Sequence, residues 1–377
     1  MSGLEPLRDL CVPSREHRTF AGIYGLAVRR LLGELLRSMK ALPDGLSGLA
    51  QIVARVRVEE PGALASLACL PTVGVLVRCL RESAPAPARR ALLVELVATL
   101  GLELAHAGLL RDPLVLADPP REIVALGARR RARLDASAKR VVILPGGGVG
   151  GMAQDTPFTP IAGDLVLAEA DNNPLRMLEA HPDKGGNTID LGGRGASEWA
   201  VSIRQALDLI ERHLPAFRDE IDLVMRAFVP VGAFAELHLS ASYQEAIGTA
   251  YLSLHPSPLT MAEAIVHEVS HNKLNALLEI DPIILNGRDE RYVSPVRPDP
   301  RPIHGVLLAV HAFLPVARLY ERMLEEGDAS AEVEHHLARV RKLNAQGAEV
   351  LFERGRPTAI GRGVFDEIER EIARAGG

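Results

Sequence analysis

The chain has 377 residues, 47% of them hydrophobic and 24% charged, a composition that excludes a disordered chain and suits one large globular domain or two. A formal net charge of −5 offers no overall attraction to nucleic acid, and three cysteines (Cys11, Cys69, Cys79) without metal-like spacing read as the reduced thiols of a cytosolic protein. No N-terminal signal pattern and no run of eighteen apolar residues occur, so neither secretion nor membrane spanning is expected and the location expected is cytoplasmic.

Residues 14–110 read as helices. Apolar residues at helical spacing run from Arg15 to Leu42, where Pro43-Asp44-Gly45 ends the pattern. Leu46–Val58, Leu64–Leu80 (interrupted near Pro71) and Pro87–Leu110 continue it. This region, 1–112, is expected to be a helical packing unit without chemistry, with His17 and His106 as ordinary core or surface residues. Residues 113–377 are expected to form the metal-binding catalytic region. Arg129-Arg130-Arg131-Ala132-Arg133 reads as a solvated helix face or linker. Val141–Leu144 is a β-type run, followed by Gly146 to Gly151, a formal G-x-G-x-x-G. A dinucleotide loop must open into a helix, whereas Pro157 and Pro160 follow here, so a loop is expected. Leu165–Ala170 is a second strand, and 171–195, rich in Asn, Pro and Gly, a long irregular loop. Helices are expected over Trp199–Leu214 and Ala216–Arg226, and strands over Ala227–Val231 and Gly248–Leu254. The last of these alternates as a half-buried strand, which makes Tyr251 and Ser253 candidates for receiving an extended peptide by edge pairing. Helices over about 303–325, Ala329–Glu353 and Val364–Ala373 close the chain.

Between these lies a helix over about 260–279 carrying His267-Glu268-Val269-Ser270-His271. Histidines four apart share a helix face, about 5–6 Å apart at Cβ, so both rings reach one divalent ion, and Glu268 borders it. Thr260 is the expected N-cap, with Glu263 as capping-box partner. Ala262, Ile265, Val266, Val269, Leu274, Leu277 and Leu278 bury the helix, and two histidines and a glutamate there would be costly without a metal.

A third protein ligand is needed. Leu274 and Leu277 stand where H-E-x-x-H-x-x-G-x-x-H would require Gly and His. Glu290 has the spacing of a gluzincin glutamate, but it lies among Arg, Tyr, Ser and Pro. His304, in the first turn of the following helix, is the preferred ligand. His311, two turns and about 10 Å further on, cannot bind the same ion and is assigned to structure or to the substrate pocket. His255 and His238 are weaker candidates.

The segments His267–Leu274, Tyr292-Val-Ser-Pro-Val-Arg-Pro-Asp-Pro-Arg-Pro-Ile-His-Gly305 and His311–Ala317 together resemble the HExxH-type peptide β-hydroxylases of ribosomal peptide natural-product pathways, over roughly Ser240 to Arg322. The resemblance implies an iron(II)- and 2-oxoglutarate-dependent enzyme hydroxylating a β-carbon of a precursor peptide, in pathways that often include a radical SAM maturase. Val296 departs from the aromatic residue common at that position in the family. Such an enzyme needs a cation for the distal carboxylate of 2-oxoglutarate, for which Arg301 and Arg297 are the candidates, with Lys273 and Arg291 behind them. Tyr292 is a candidate donor to the co-substrate. Glu268 would then orient a ligand or a water. In the alternative, a zinc metallopeptidase, Glu268 is the general base. A third reading is a non-catalytic peptide-binding partner of a radical SAM maturase. The fold expected is α+β and mainly α-helical, with a small sheet and a zincin-like metal helix in the C-terminal half.

Overall fold

The computed structural model describes residues 7–81, 86–135, 137–150, 152–178, 185–294, 297–327 and 330–376. The chain begins with five helices: α1 (Thr19–Lys40), α2 (Gly48–Glu59), α3 (Pro61–Ala68), α4 (Pro71–Arg81) and α5 (Ala86–His106). Pro71 does not merely interrupt a helix: the chain bends there by 77° between α3 and α4. Short strands follow, namely β1 (Leu114–Ala117), β2 (Glu122–Ala125), β3 (Arg130–Arg133), β4 (Arg140–Ile143), β5 (Ala153–Asp155), β6 (Phe158–Ala162) and β7 (Leu165–Ala168). The remainder is α6 (Ala196–His213), α7 (Pro215–Val224), β8 (Ala227–Ala233), β9 (Ser240–Ala241), β10 (Thr249–Leu254), α8 (Pro258–Leu278), β11 (Tyr292–Ser294), β12 (Arg297–Arg301), α9 (Ile303–Glu325), α10 (Ala331–Arg354) and α11 (Ala359–Gly376). The protein is thus α+β and mainly helical.

The arginine run is a correction to the sequence reading. It is neither helix nor linker but the strand β3, paired antiparallel with β2 and β5, with Arg131 bound to Asp155. Buried Ala132 between Arg131 and Arg133, both paired with Asp155, suits the central strand of a small sheet with one solvated face, which composition by itself does not reveal. The glycine run leads into β5 rather than a helix, and Gly146 and Gly147 turn it at φ values of 86° and 87°, a region open to glycine.

A five-stranded sheet, in the order β6-β7-β8-β10-β9, is the frame for the candidate site. β7, β8 and β10 run parallel, while β6 and β9 are antiparallel edge strands. Side chains alternate between two cores. Leu167, Phe228, Ala250 and Leu252 face α6 and α8, where Trp199, Ile203, Ile265 and Val269 meet them. Val166, Val229 and Tyr251 face the other way, onto Val124, Leu126 and Phe158. Strands buried on both faces read as continuous apolar runs, and β10 is accordingly buried at every position rather than half-buried.

The packing does not divide at residue 112. Phe20, Ile23 and Ala27 of α1 join the core beneath α8, whereas Leu31, Leu35 and Met39 of the same helix join α2–α5 and β1–β4. α9 is long and apolar enough to cross a membrane, but most of its apolar stretch is buried inside the protein.

Candidate metal centre

α8 is buried nearly all round although it carries His267, Glu268, Asn272 and Lys273, so it runs through the core rather than over it. Its N-cap is Ser257, not Thr260: the Ser257 hydroxyl accepts from the Thr260 N–H at 3.3 Å, and Pro258 takes the first helical position. Glu263 is released from a capping role. It accepts from Tyr320 of α9 and, at 2.7 Å, from Arg339 of α10; against the effect of burial, His336 first, then Tyr320 and Arg339, hold its carboxyl down at about 2.

His267, Glu268 and His271 each bring a ligand atom within 4.8 Å of the others. The two rings stand nearly perpendicular, with centroids 4.5 Å apart, and Phe313 of α9 packs on His267 at 4.6 Å. Burial pushes both histidines down to about 4. For His267 the charge of His271 adds to the effect and Glu268 opposes it; for His271 the Arg301 guanidinium adds to it. Both rings are therefore neutral at pH 7, the form that donates a lone pair, and the Nδ1 of each is buried without a hydrogen-bond partner among the described residues. Glu268 is 2% exposed and accepts a hydrogen bond from the Ser242 hydroxyl, just beyond β9. Asn272 braces this arrangement: its Oδ1 accepts from the Gly248 N–H at 2.7 Å, and its amide donates to the Glu268 carbonyl at 2.9 Å. Two neutral imidazoles and a fixed carboxylate, with orphaned ring nitrogens, fit a divalent metal ion.

The other sequence candidates are placed as follows. His304 lies outside the group; its ring faces the Ile284 carbonyl and Arg288, past the C-terminal end of α8. His311 is fully buried, also outside the group, and feels the charges of Lys273 and His271; neither of its ring nitrogens has a hydrogen-bond partner among the described residues. Glu290 is committed to Tyr292, Arg356 and the Gly287 N–H in an exposed turn. The Tyr292 hydroxyl is used there, donating to Glu290 at 2.5 Å and accepting from Asn286 at 3.1 Å. His255 Nδ1 accepts from the Ser257 N–H at 3.1 Å.

Lys273 cannot anchor a co-substrate. It is fully buried on another face of α8, paired with Glu220 and set over the rings of Phe20 and Phe217. Arg301 at the end of β12 is near enough to His271 to act on its charge. The Arg297 side chain and Val296 lie outside the described residues. Tyr251 and Ser253 offer no free edge, because β9 pairs with β10 at Tyr251 and Leu252, and the Ser253 N–H donates to the Leu239 carbonyl at 2.8 Å. Tyr251 also faces away from α8 and donates to Asp171 at 2.6 Å. Among the described residues, β9 is the edge strand of the sheet on the side of the metal residues.

Ser242, Phe313 and the Glu263 partners were missed by sequence reasoning. A lone serine 26 residues from Glu268 carries no pattern, and Phe313 reads as core; both belong to the site only because the chain folds back. No family model and no curated protein matches the chain.

Proposed function

We propose that the protein is an iron(II)- and 2-oxoglutarate-dependent oxygenase that hydroxylates the β-carbon of a residue in a ribosomally made precursor peptide. The observation that carries this reading is the donor set. Two neutral histidines and one carboxylate within 4.8 Å are the ligand types of mononuclear non-haem iron oxygenases. The resemblance over Ser240 to Arg322 supplies the substrate class. In this reading Glu268, rather than His304, is the third protein ligand.

Bound iron(II) would supply the open positions at which 2-oxoglutarate chelates and dioxygen is activated. The contributions of the chain are separable from it. Neutral His267 and His271 bind without first losing a proton. Ser242 ties down one oxygen of Glu268, which leaves the other for the ion. Arg301, whose charge reaches His271 and which also pairs with Asp299 at 3.6 Å, has the planar fork that suits the distal carboxylate of 2-oxoglutarate. The outer edge of β9, directly before Ser242, offers main-chain groups to an extended precursor peptide.

A zinc metallopeptidase is the second reading, and one observation favours it: a buried, hydroxyl-tethered Glu268 beside both histidines suits a general base and a zincin-like helix.

Loading the protein with iron(II) without oxygen and titrating 2-oxoglutarate should give a saturable visible charge-transfer band, followed in air by peptide-dependent succinate formation. Glu268→Gln separates the two readings. Lost iron supports a ligand role, whereas retained zinc with abolished peptide cleavage would overturn the oxygenase. Metal content should be unchanged in His304→Ala.

A further inference from the structure

The last three helices do not fill the space between them. A cavity of about 200 Å³ is walled by Leu314 and Ala317 of α9, Asn344 and Ala345 of α10, and Ile372 and Ala375 of α11. Each helix brings an alanine to it, a side chain too short to close the gap. No residue of the metal centre borders it.

The charged groups at the cavity are committed to one another. Glu321 pairs with Arg374 at 2.8 Å and with Arg341 at 3.0 Å, and Arg374 reaches Glu371 at 3.1 Å. Two carboxylates and two guanidiniums balance, so a net charge on a ligand gains nothing there. Asn344 differs. It is 3% exposed, and its side chain makes no hydrogen bond with any described residue. Its Oδ1 is sealed from solvent and its Nδ2 is not, so the N–H end of the carboxamide is the one that opens into the cavity. A buried donor without an acceptor costs free energy, and the group that completes it is an acceptor. Apolar walls with one convergent polar group are the make-up of a small-molecule site.

We propose that this cavity binds a small uncharged molecule with an apolar body and one accepting oxygen, a ketone, ester or amide, with Asn344 as the donor. Leu314, Ile372 and the three alanines take the apolar body, and the Asn344 amide fixes its orientation. The balanced ion pairs leave no counter-ion for a carboxylate or an ammonium. This site is independent of the metal reading, and neither fails with the other.

The methyl resonances of Leu314 and Ile372 in the full-length protein, titrated with acetophenone and with cumene, a molecule of like shape without the oxygen, test the proposal. Saturable shifts with acetophenone are expected. The ratio of acetophenone to cumene affinity should fall about three- to tenfold in Asn344→Leu, the loss of one neutral hydrogen bond. Asn344→Ala, read alongside its melting temperature, guards against a leucine variant that folds poorly. Ala345→Trp, which fills the cavity from an exposed position, should abolish the shifts. Absence of saturable shifts, an affinity ratio unchanged in both Asn344 variants, or binding retained in Ala345→Trp would overturn it.

Discussion

Two faces of α8 carry polar side chains, half-buried His267 and His271 on one and fully buried Lys273 on another, and they do opposite work. On one, His267 and His271 keep a ring nitrogen without a partner among the described residues, beside a carboxylate held by a single hydroxyl. On another, Lys273 is closed off by Glu220 and two aromatic rings. Glu103, far from α8, belongs with the second kind: both its oxygens are taken by the N–H groups of Gly127 and Ala128, at 2.9 and 2.8 Å. A buried polar group therefore marks a ligand site only where the protein leaves it incomplete. Elsewhere it is a strut.

That contrast can be broken by substitution. The largest effect is expected at the closed groups. Lys273→Ala leaves the Glu220 carboxylate buried and unpaired, a change that costs about 3–5 kcal/mol. His271→Ala, compared without metal by denaturant unfolding, should cost less while abolishing metal retention. If the two cost the same, the distinction fails.

Glu103 gives the next effect, and a sign. Its carboxyl is 1% exposed and raised from 4.5 to about 7, burial outweighing the two backbone donors. A raised folded-state value means stability that is fully present below about 4.5 and lost as pH rises through about 7. The loss amounts to up to about 3 kcal/mol. Glu103→Gln should remove that part of the slope between pH 4.5 and 7, measured as unfolding free energy against pH.

Arg301→Ala tests the open side. Losing one charge-assisted contact of about 1.5–3 kcal/mol should raise the half-saturating 2-oxoglutarate concentration roughly ten- to a hundredfold. The peptide requirement and the melting temperature should barely move. An unchanged 2-oxoglutarate requirement would transfer the anchor to another cation. The smallest change belongs to Ser257→Ala, which removes the cap of α8 and should cost about 1 kcal/mol in thermal unfolding, with metal content retained.

Much of the fold was legible where local chemistry decides it. The bounds of α9 fall at Ile303 and Glu325, where the apolar period and Pro302 had set them. The pair His267 and His271 was legible for the same reason: a four-residue spacing on a helix is a distance in space, whatever surrounds it. The cap shifted from Thr260 to Ser257 because sequence signals fix helix ends only to within a few residues.

The rest required the fold. Short strands such as β3, β5 and β9 have no period long enough to read, and an arginine-rich strand has the composition of a solvated helix. The third ligand, the anchor and the peptide edge all depend on which way a side chain leaves its element once neighbours are packed. Lys273, two residues beyond His271, stands 200° round the helix and enters the core. Ser242 and Glu268, far apart in the chain, meet because β9 pairs with β10 above α8. Sequence alone determined which side chains could form a metal centre, since helix geometry is local. Only the tertiary structure decided which polar groups the protein satisfies itself and which it leaves for a ligand, because partners distant in the chain settle that.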